Sequence, residues 1–223
     1  MDLNFFKTTR ILDGGMGQEL LARGMKPNGT LWSANALLNE EYHKLLLDTH
    51  LDFIKAGAEV IVTNTFTTRK VRLRDNNVED KFEYLNNKAG EIALQAKKNY
   101  PDVLIAGSLP PQYLTYEADT RSDDEIADNF YSQAKLLNPY IDFFYLDVLS
   151  SVKEFKIAID CIKEFNKPYL IGAHISEGTS LPSGEKISEI LTNIKHEKLL
   201  GIILSCISPE NYELNLNEIK NLG

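Results

Sequence analysis

Short apolar runs alternate with longer amphipathic stretches along the 223-residue chain. The runs are apolar at successive positions, which is typical of parallel strands that helices cover on both faces. Each run ends in small or polar residues, as expected where a strand gives way to a loop. The predicted strands span residues 10–15, 58–64, 103–108, 142–147, 168–173 and 201–206.

Apolar residues recur at three- and four-residue spacing between these runs, which predicts helices. The stretch from Ser122 also begins with a helix start signal, because Glu125 stands three residues after the serine. Repeated strand–helix units predict an α/β fold. The predicted helices span residues 40–56, 80–100, 122–137, 152–165 and 186–196.

Polar or small residues stand at the carboxyl end of every predicted strand, and in a (β/α)8 TIM-type barrel that end is the active face. We therefore expect a barrel, as a single domain over residues 1–223, truncated to about six strand–helix units. An open doubly wound sheet is the alternative. It is disfavoured because residues 13–17 do not match Gly-x-Gly-x-x-Gly and the sequence has no Walker-type lysine loop. The strand-end residues are Asp13, Asn64, Ser108, Asp147, Ala173 and Cys206.

Composition narrows the class of partner. The chain carries 24 basic and 32 acidic residues, a net charge of −8, which argues against nucleic acid or an anionic membrane surface as a partner. No apolar run approaches the ~20 residues of a membrane span, and no signal peptide is visible. Two cysteines do not make a disulfide framework, so we expect a reducing cytoplasm.

Two candidates lie near the amino terminus, and each has a structural alternative. Asp13 ends the first predicted strand before Gly14, where a carboxylate could hold a substrate ammonium group or cap the next helix. Trp32 is the only tryptophan and lies in a loop, where core packing or a lid would account for it. Ser33 could simply be a helix N-cap.

Further candidates follow later strands. Asn64 and Asp147 end strands, where site chemistry and turn chemistry both favour polar residues. Glu154 is seven residues beyond Asp147, so it lies near the rim or is a surface charge. His174 is a possible zinc ligand, although a lone histidine at a strand end is more often structural. Cys206 ends the last apolar run, which places its thiol at the rim, where metal or nucleophile chemistry takes place.

The remaining cysteine and histidines show weaker signals. Cys161 falls among apolar residues of a predicted helix and reads as a core thiol. His43, His50 and His196 lie in helical patterns and show no ligand spacing. None of these four residues is assigned to a site.

Short motifs add a second kind of signal. They lie, in order, at residues 11–17 (Ile-Leu-Asp-Gly-Gly-Met-Gly), 31–34, 56–66, 106–111, 181–185 and 205–209 (Ser-Cys-Ile-Ser-Pro). Together they resemble the homocysteine S-methyltransferase family. That family includes the betaine and S-methylmethionine enzymes and the homocysteine module of cobalamin-dependent methionine synthase. The resemblance extends over essentially the whole chain.

The resemblance implies a barrel that binds zinc through three cysteines and methylates the thiolate of homocysteine, giving methionine. Zinc lowers the pKa of a bound thiol, and the thiolate is the nucleophile. By resemblance, Cys206 is the first zinc ligand. Asp13 and Gly14 would hold the amino-acid end of homocysteine, and Trp32 and Ser33 would line the same pocket. Asn64 and Asp147 complete the predicted substrate-binding set.

This sequence departs from the family pattern in three places. The Glu-Thr pair after the fourth strand is Asp147-Val148, and the Asn before the zinc cysteine is Ser205. The other two zinc cysteines belong to a Gly-Gly-Cys-Cys segment near the family's C-terminus, which these residues do not include. We therefore expect one of the three zinc ligands here.

Two functions follow as hypotheses. The first is a homocysteine S-methyltransferase or a shortened relative, with a donor that the sequence leaves open among S-methylmethionine, S-adenosylmethionine, betaine and a methyl-corrinoid. The second is a non-catalytic, zinc-free barrel that keeps Asp13, Trp32 and Asp147 as an amino-acid pocket. Both imply small-molecule ligands. A truncated barrel would also expose strand edges, which a second copy or another chain could cover.

Overall fold

The computed structural model describes residues 2–194 and 197–220. Its centre is a parallel sheet of five strands that pair in chain order. Parallel neighbours need crossover connections, which helices provide here. A doubly wound sheet would reverse its strand order at a switch point, and this one does not. The strands are β1 (Val60–Val62), β2 (Leu104–Leu109), β3 (Phe143–Leu149), β4 (Tyr169–Ala173) and β5 (Leu199–Leu204).

Helices precede, connect and follow the strands. All five predicted helices are present with shorter ends, and Ser122 is an N-cap whose Oγ accepts a 3.3 Å hydrogen bond from the Glu125 N–H. His196, at the end of the last predicted helix, lies outside the described residues. The helices are α1 (Met16–Ala22), α2 (Asn35–Leu38), α3 (His43–Lys55), α4 (Lys70–Asp75), α5 (Phe82–Lys97), α6 (Asp123–Leu137), α7 (Val152–Ile162), α8 (Ile187–Asn193) and α9 (Pro209–Lys220).

None of these helices is both long and apolar enough to cross a bilayer, within the ranges that the structure describes.

The first predicted strand, residues 10–15, is wrong as a strand. It contributes one isolated parallel bridge between Leu12 and Val60, and the Asp13 N–H donates a 2.9 Å hydrogen bond to the Val60 carbonyl. The consecutive glycines that follow interrupt pairing, because glycine weakens an extended strand. The α/β class and the parallel sheet are confirmed, whereas the truncation stays a prediction.

One face of the sheet carries a separate cluster of buried apolar side chains, and we call it the inner face. Phe5 and Phe6 pack against it from a short 3-10 helix at the amino terminus, and the rings of Phe6 and Phe143 meet edge to face at 5.8 Å. Phe143 begins β3, so these aromatic rings close the amino end of the inner face. These rings do not cover the carboxyl ends of the strands, so a cavity can form there. The buried inner residues are Val60, Ala106, Phe143, Tyr145, Leu170 and Leu200.

Candidate active site

A cavity of about 360 Å³ lies at the carboxyl ends of the strands. Of the strand-end residues, Ala173 alone is absent from its lining. Strand ends meet at one edge of a parallel sheet, which explains why residues far apart in sequence converge there. The structure brings together all of the predicted site residues: Asp13, Gly14, Trp32, Ser33, Asn64, Asp147 and Cys206.

Asp13 presents a buried carboxyl group to this cavity. Its Oδ2 accepts a 2.9 Å hydrogen bond from the Val62 N–H and lies 4.0 Å from Nδ1 of His50. Burial, with a further contribution from the Asp147 carboxyl, raises the pKa of Asp13 to about 8. Its interpretation as a helix cap is wrong, because α1 is preceded by Gly15 and has no side-chain cap.

Asp147 supplies a second buried carboxyl group from β3. Burial raises its pKa to about 6, and hydrogen bonds from Ser108 and Tyr145 act in the opposite direction. The described residues that line the cavity include no lysine or arginine. Two carboxyl groups without a protein cation favour a ligand that carries positive charge, since burying an unpaired carboxylate is costly.

Trp32 forms an aromatic wall of the cavity. Its indole is 37% exposed and meets the ring of Phe66 edge to face at 6.4 Å. The indole packs directly on Gly17, where an added Cβ would lie 2.3 Å from Trp32 Cε2. Gly17 therefore leaves the space that the indole occupies, and Trp32 is a wall of the cavity rather than a core residue.

Ser33 and Asn64 hold the wall in place rather than cap a helix. Ser33 lies inside a 3-10 turn that has no side-chain cap, so the N-cap interpretation is wrong. The Ser33 carbonyl accepts a 2.9 Å hydrogen bond from Nδ2 of Asn64, and both residues are buried. This bond ties the Trp32 segment to the end of β1.

Cys206 is an exposed residue whose thiol is partly buried at the rim of the cavity. Burial of the sulfur and the nearby Asp147 carboxyl raise its pKa, while a hydrogen bond with Tyr116 lowers it. The ring of Tyr116 lies 4.3 Å from that of His174. Both ring nitrogens of His174 contact protein oxygens, at 3.2 Å from the Ser205 carbonyl and 2.9 Å from Ser176 Oγ, which fits its structural role.

Several cavity residues were not predicted from the sequence. Tyr145, on β3, shares a 2.5 Å hydroxyl hydrogen bond with Ser205 and so links β3 to the Cys206 segment. Tyr116 and Val148 both have positive φ, at 69° and 66°, as do Trp32 and Cys206 among the lining residues. A β-branched residue in this region is strained, and such strain concentrates at functional sites. Tryptophan, tyrosine, valine and cysteine carry no sequence signal for positive φ, unlike glycine and asparagine.

Glu154 lies outside the cavity lining and is not a surface charge. It is fully buried at the start of α7, where its Oε2 accepts a 2.7 Å hydrogen bond from Ser151 Oγ. Burial raises its pKa to about 7. Cys161 is half-buried on α7 and donates to the Ala127 carbonyl at 3.4 Å, close to its predicted place as a core thiol.

A complete metal site does not form from the residues that the structure describes. In residues 2–194 and 197–220, no group of three or more histidine, cysteine, aspartate or glutamate side chains is placed to hold a metal ion. A catalytic zinc site uses three protein ligands and an open position. Cys206 alone does not fit that requirement.

The family model and the similar proteins all point to one family. A family model described as homocysteine S-methyltransferase matches residues 10–223. Homocysteine S-methyltransferase YbgG of Bacillus subtilis is 25% identical over 94% of this chain and 73% of its own length. The homocysteine S-methyltransferase of Escherichia coli is 26% identical over 95% of this chain and 74% of its own.

A solved structure shows the same fold. The metallated form of the homocysteine methyltransferase MmuM from Escherichia coli superposes with a TM-score of 0.88. The superposition covers 100% of this chain and 84% of that one, at 21% sequence identity. The parallel sheet and its helices therefore follow the architecture of that protein.

Proposed function

The chain belongs to the homocysteine S-methyltransferase family, and from this premise we propose that its cavity binds homocysteine and places the sulfur for methylation to methionine. One observation carries the proposal. Asp13 and Asp147 bring two buried carboxyl groups to a cavity whose described lining has no lysine or arginine. An amino acid's ammonium group supplies the missing positive charge, and such charge-assisted hydrogen bonds are strong.

Methyl transfer to homocysteine requires mainly that the two reactants be held in the correct position. The sulfur lone pair of homocysteine forms the new S–CH3 bond while the donor's bond to that carbon breaks, and the thiol proton is released. Holding the two reactants in line supplies much of the rate. Asp13 and Asp147 anchor the ammonium end, and Trp32 and Tyr116 bound the cavity. The sulfur end then extends towards the rim that carries Cys206.

In this proposal, Cys206 is the one residue that is assigned to zinc. A bound zinc ion would keep a thiol deprotonated, but the described residues do not form a group of three ligands around Cys206, so no step is assigned to it. Metal analysis of Cys206→Ser beside Cys161→Ser tests the role of this thiol. We expect any bound zinc to fall in the first variant alone, and equal zinc in both variants would contradict a ligand role for Cys206.

A methyl-transfer assay tests the proposal. The protein is incubated with homocysteine and, in turn, S-methylmethionine, S-adenosylmethionine, betaine or methylcobalamin, and methionine is measured by mass spectrometry. We expect methionine with one donor class and at least about a tenfold lower rate in Asp13→Asn, which loses a charged hydrogen bond. Absence of methionine with all four donors would overturn methyl transfer by this chain.

An amino-acid-binding protein without catalysis is the second candidate. It is favoured by the single cysteine at the rim and the lack of a three-ligand cluster among the described residues. Calorimetry with homocysteine and with methionine, in the presence of a zinc chelator, separates the two candidates. Binding of both ligands without any methyl transfer would support the second candidate, and no binding of either would reject it.

A further inference from the structure

His50 is a buried histidine on α3 that the proposed function does not use. Its side chain is fully buried, and neither ring nitrogen has a hydrogen-bond partner. Nearly all buried polar side chains in proteins are hydrogen-bonded, so an unpartnered one needs an explanation. The carboxyl group of Asp13 lies close by, with its Oδ2 4.0 Å from Nδ1 of His50.

The packing of α3 explains how His50 comes to lie behind Asp13. His50 and Phe53 are three residues apart and share one face of the helix. Phe53 packs on Gly14, where an added Cβ would lie 2.8 Å from Phe53 Cε1. The absence of a side chain at Gly14 therefore lets α3 approach the Asp13 loop closely, and the same approach brings the imidazole to the carboxyl group.

The hydrogen bonding of Asp13 leaves one oxygen for a ligand. Oδ2 accepts the Val62 N–H at 2.9 Å and is also the oxygen nearest to His50. Val62 and His50 thus approach the same oxygen. Because Asp13 lines the cavity, its other oxygen, Oδ1, is the one available to an ammonium group.

We infer that His50 is a positioning residue for Asp13, whose Nδ1–H donates a hydrogen bond to Oδ2 when an ammonium group binds at Oδ1. This inference rests on the proposed function, since it concerns the amino-group anchor of the same cavity. Closing the 4.0 Å separation by about 1 Å gives normal hydrogen-bond geometry. A neutral imidazole is a donor through one nitrogen, and donation to a carboxylate strengthens as that carboxylate gains charge.

Three substitutions at one position test the role. His50→Asn keeps a polar atom near the Nδ1 position, His50→Gln moves it towards the Nε2 position, and His50→Phe removes both. Two ligands separate the amino group from the rest: homocysteine, and 4-mercaptobutanoate, which lacks the ammonium group. Dissociation constants are measured by calorimetry for each pair, with the melting temperature of each variant as a check on folding.

We expect His50→Phe and His50→Gln to bind homocysteine about tenfold more weakly than the original protein, as for loss of a hydrogen bond to a charged group. His50→Asn should stay within about threefold, and all variants should bind 4-mercaptobutanoate alike. In an Asp13→Asn background, His50→Phe should add no further loss, because coupled residues are not additive. If His50→Phe fails to fold, His50→Gln decides the question.

The possible outcomes distinguish the proposed role of His50 from the proposed function of the cavity. Normal homocysteine binding by His50→Phe and His50→Gln would overturn the His50 role and leave the proposed function intact. Equal weakening of both ligands would also overturn it, because a structural defect does not depend on the ammonium group. Failure of the unsubstituted protein to bind homocysteine would overturn the proposed function, and this role with it.

Discussion

Ser108 Oγ, on β2, donates a 2.9 Å hydrogen bond to Oδ2 of Asp147, on β3. The two strands are neighbours, with Ser108 opposite Tyr145, so this bond crosses the strand ends that form the cavity. A hydroxyl donor stabilises the charged form of a carboxyl group. The bond therefore opposes the burial that raises the pKa of Asp147 to about 6.

Ser108→Ala should raise the pKa of Asp147 further and weaken amino-acid binding at mildly acidic pH. In the original protein, affinity for methionine should increase from pH 5 to pH 8, because Asp147 ionises near 6 and Asp13 near 8. In Ser108→Ala, the rise should begin at higher pH. Calorimetry across this range measures both profiles, and methionine avoids titration of a ligand thiol.

The control for this change is Ser132→Ala, which removes a hydroxyl on α6 that contacts Lys70 on α4, outside the cavity lining. Its profile should match that of the original protein. An affinity for methionine that falls between pH 5 and pH 7 would contradict a role for ionised carboxyl groups.

Gly17→Ala should displace Trp32 from the cavity wall, because the new Cβ would lie 2.3 Å from the indole. Trp32 is the only tryptophan, so the emission spectrum of the protein reports its surroundings directly. We expect a shifted emission maximum and a loss of homocysteine affinity. Alanine is otherwise favourable in a helix, by about 1 kcal/mol over glycine.

Gly15→Ala is the matched control, since an added Cβ there meets no atom within 4 Å. Its tryptophan emission should remain that of the original protein. The account of the wall fails if both variants shift the emission equally, or if neither does.

Glu154→Gln should remove a pH dependence of folding stability. Burial raises the pKa of Glu154 from 4.5 to about 7, so the folded state holds a proton that the unfolded state releases. The stability from this group is complete below pH 4.5 and is lost as pH rises through 7, a loss on the order of 3 kcal/mol. Denaturant unfolding at pH 5 and pH 8 measures it.

The stability of Glu154→Gln relative to the original protein should therefore increase between pH 5 and pH 8. Glu177→Gln, at an exposed position, should show no such change. A relative stability of Glu154→Gln that is the same at both pH values would show that this carboxyl group ionises at an ordinary pH.

Features that depend on hydrophobic periodicity or on the positions of strand ends could be predicted from the sequence. Period three and four marked α6, and Ser122 marked its start, because local hydrogen bonding fixes a cap. The strand-end residues Asp13 and Asp147 were found because parallel strands collect their ends at one edge. Pairing at residues 10–15 was overestimated, since apolar character alone does not reveal where glycines end a ladder.

Residues whose roles depend on tertiary packing could not be predicted from the sequence. His50 reads as one more position of an amphipathic helix, and only the approach of α3 at Gly14 brings it to Asp13. The same holds for Val148, whose positive φ has no signature in a β-branched residue. Glu154 was expected near the rim or as a surface charge, and neither interpretation predicts its burial, because burial of a carboxyl group depends on neighbours distant in sequence.

The most direct test of the account is calorimetric titration of homocysteine into the original protein and into Asp13→Asn, side by side at pH 8. The central claim is that the Asp13 carboxylate holds the ammonium group in the cavity. The predicted result is binding by the original protein and an affinity at least about tenfold weaker in Asp13→Asn, from loss of one charged hydrogen bond. Equal affinities, or no binding by the original protein, would contradict it.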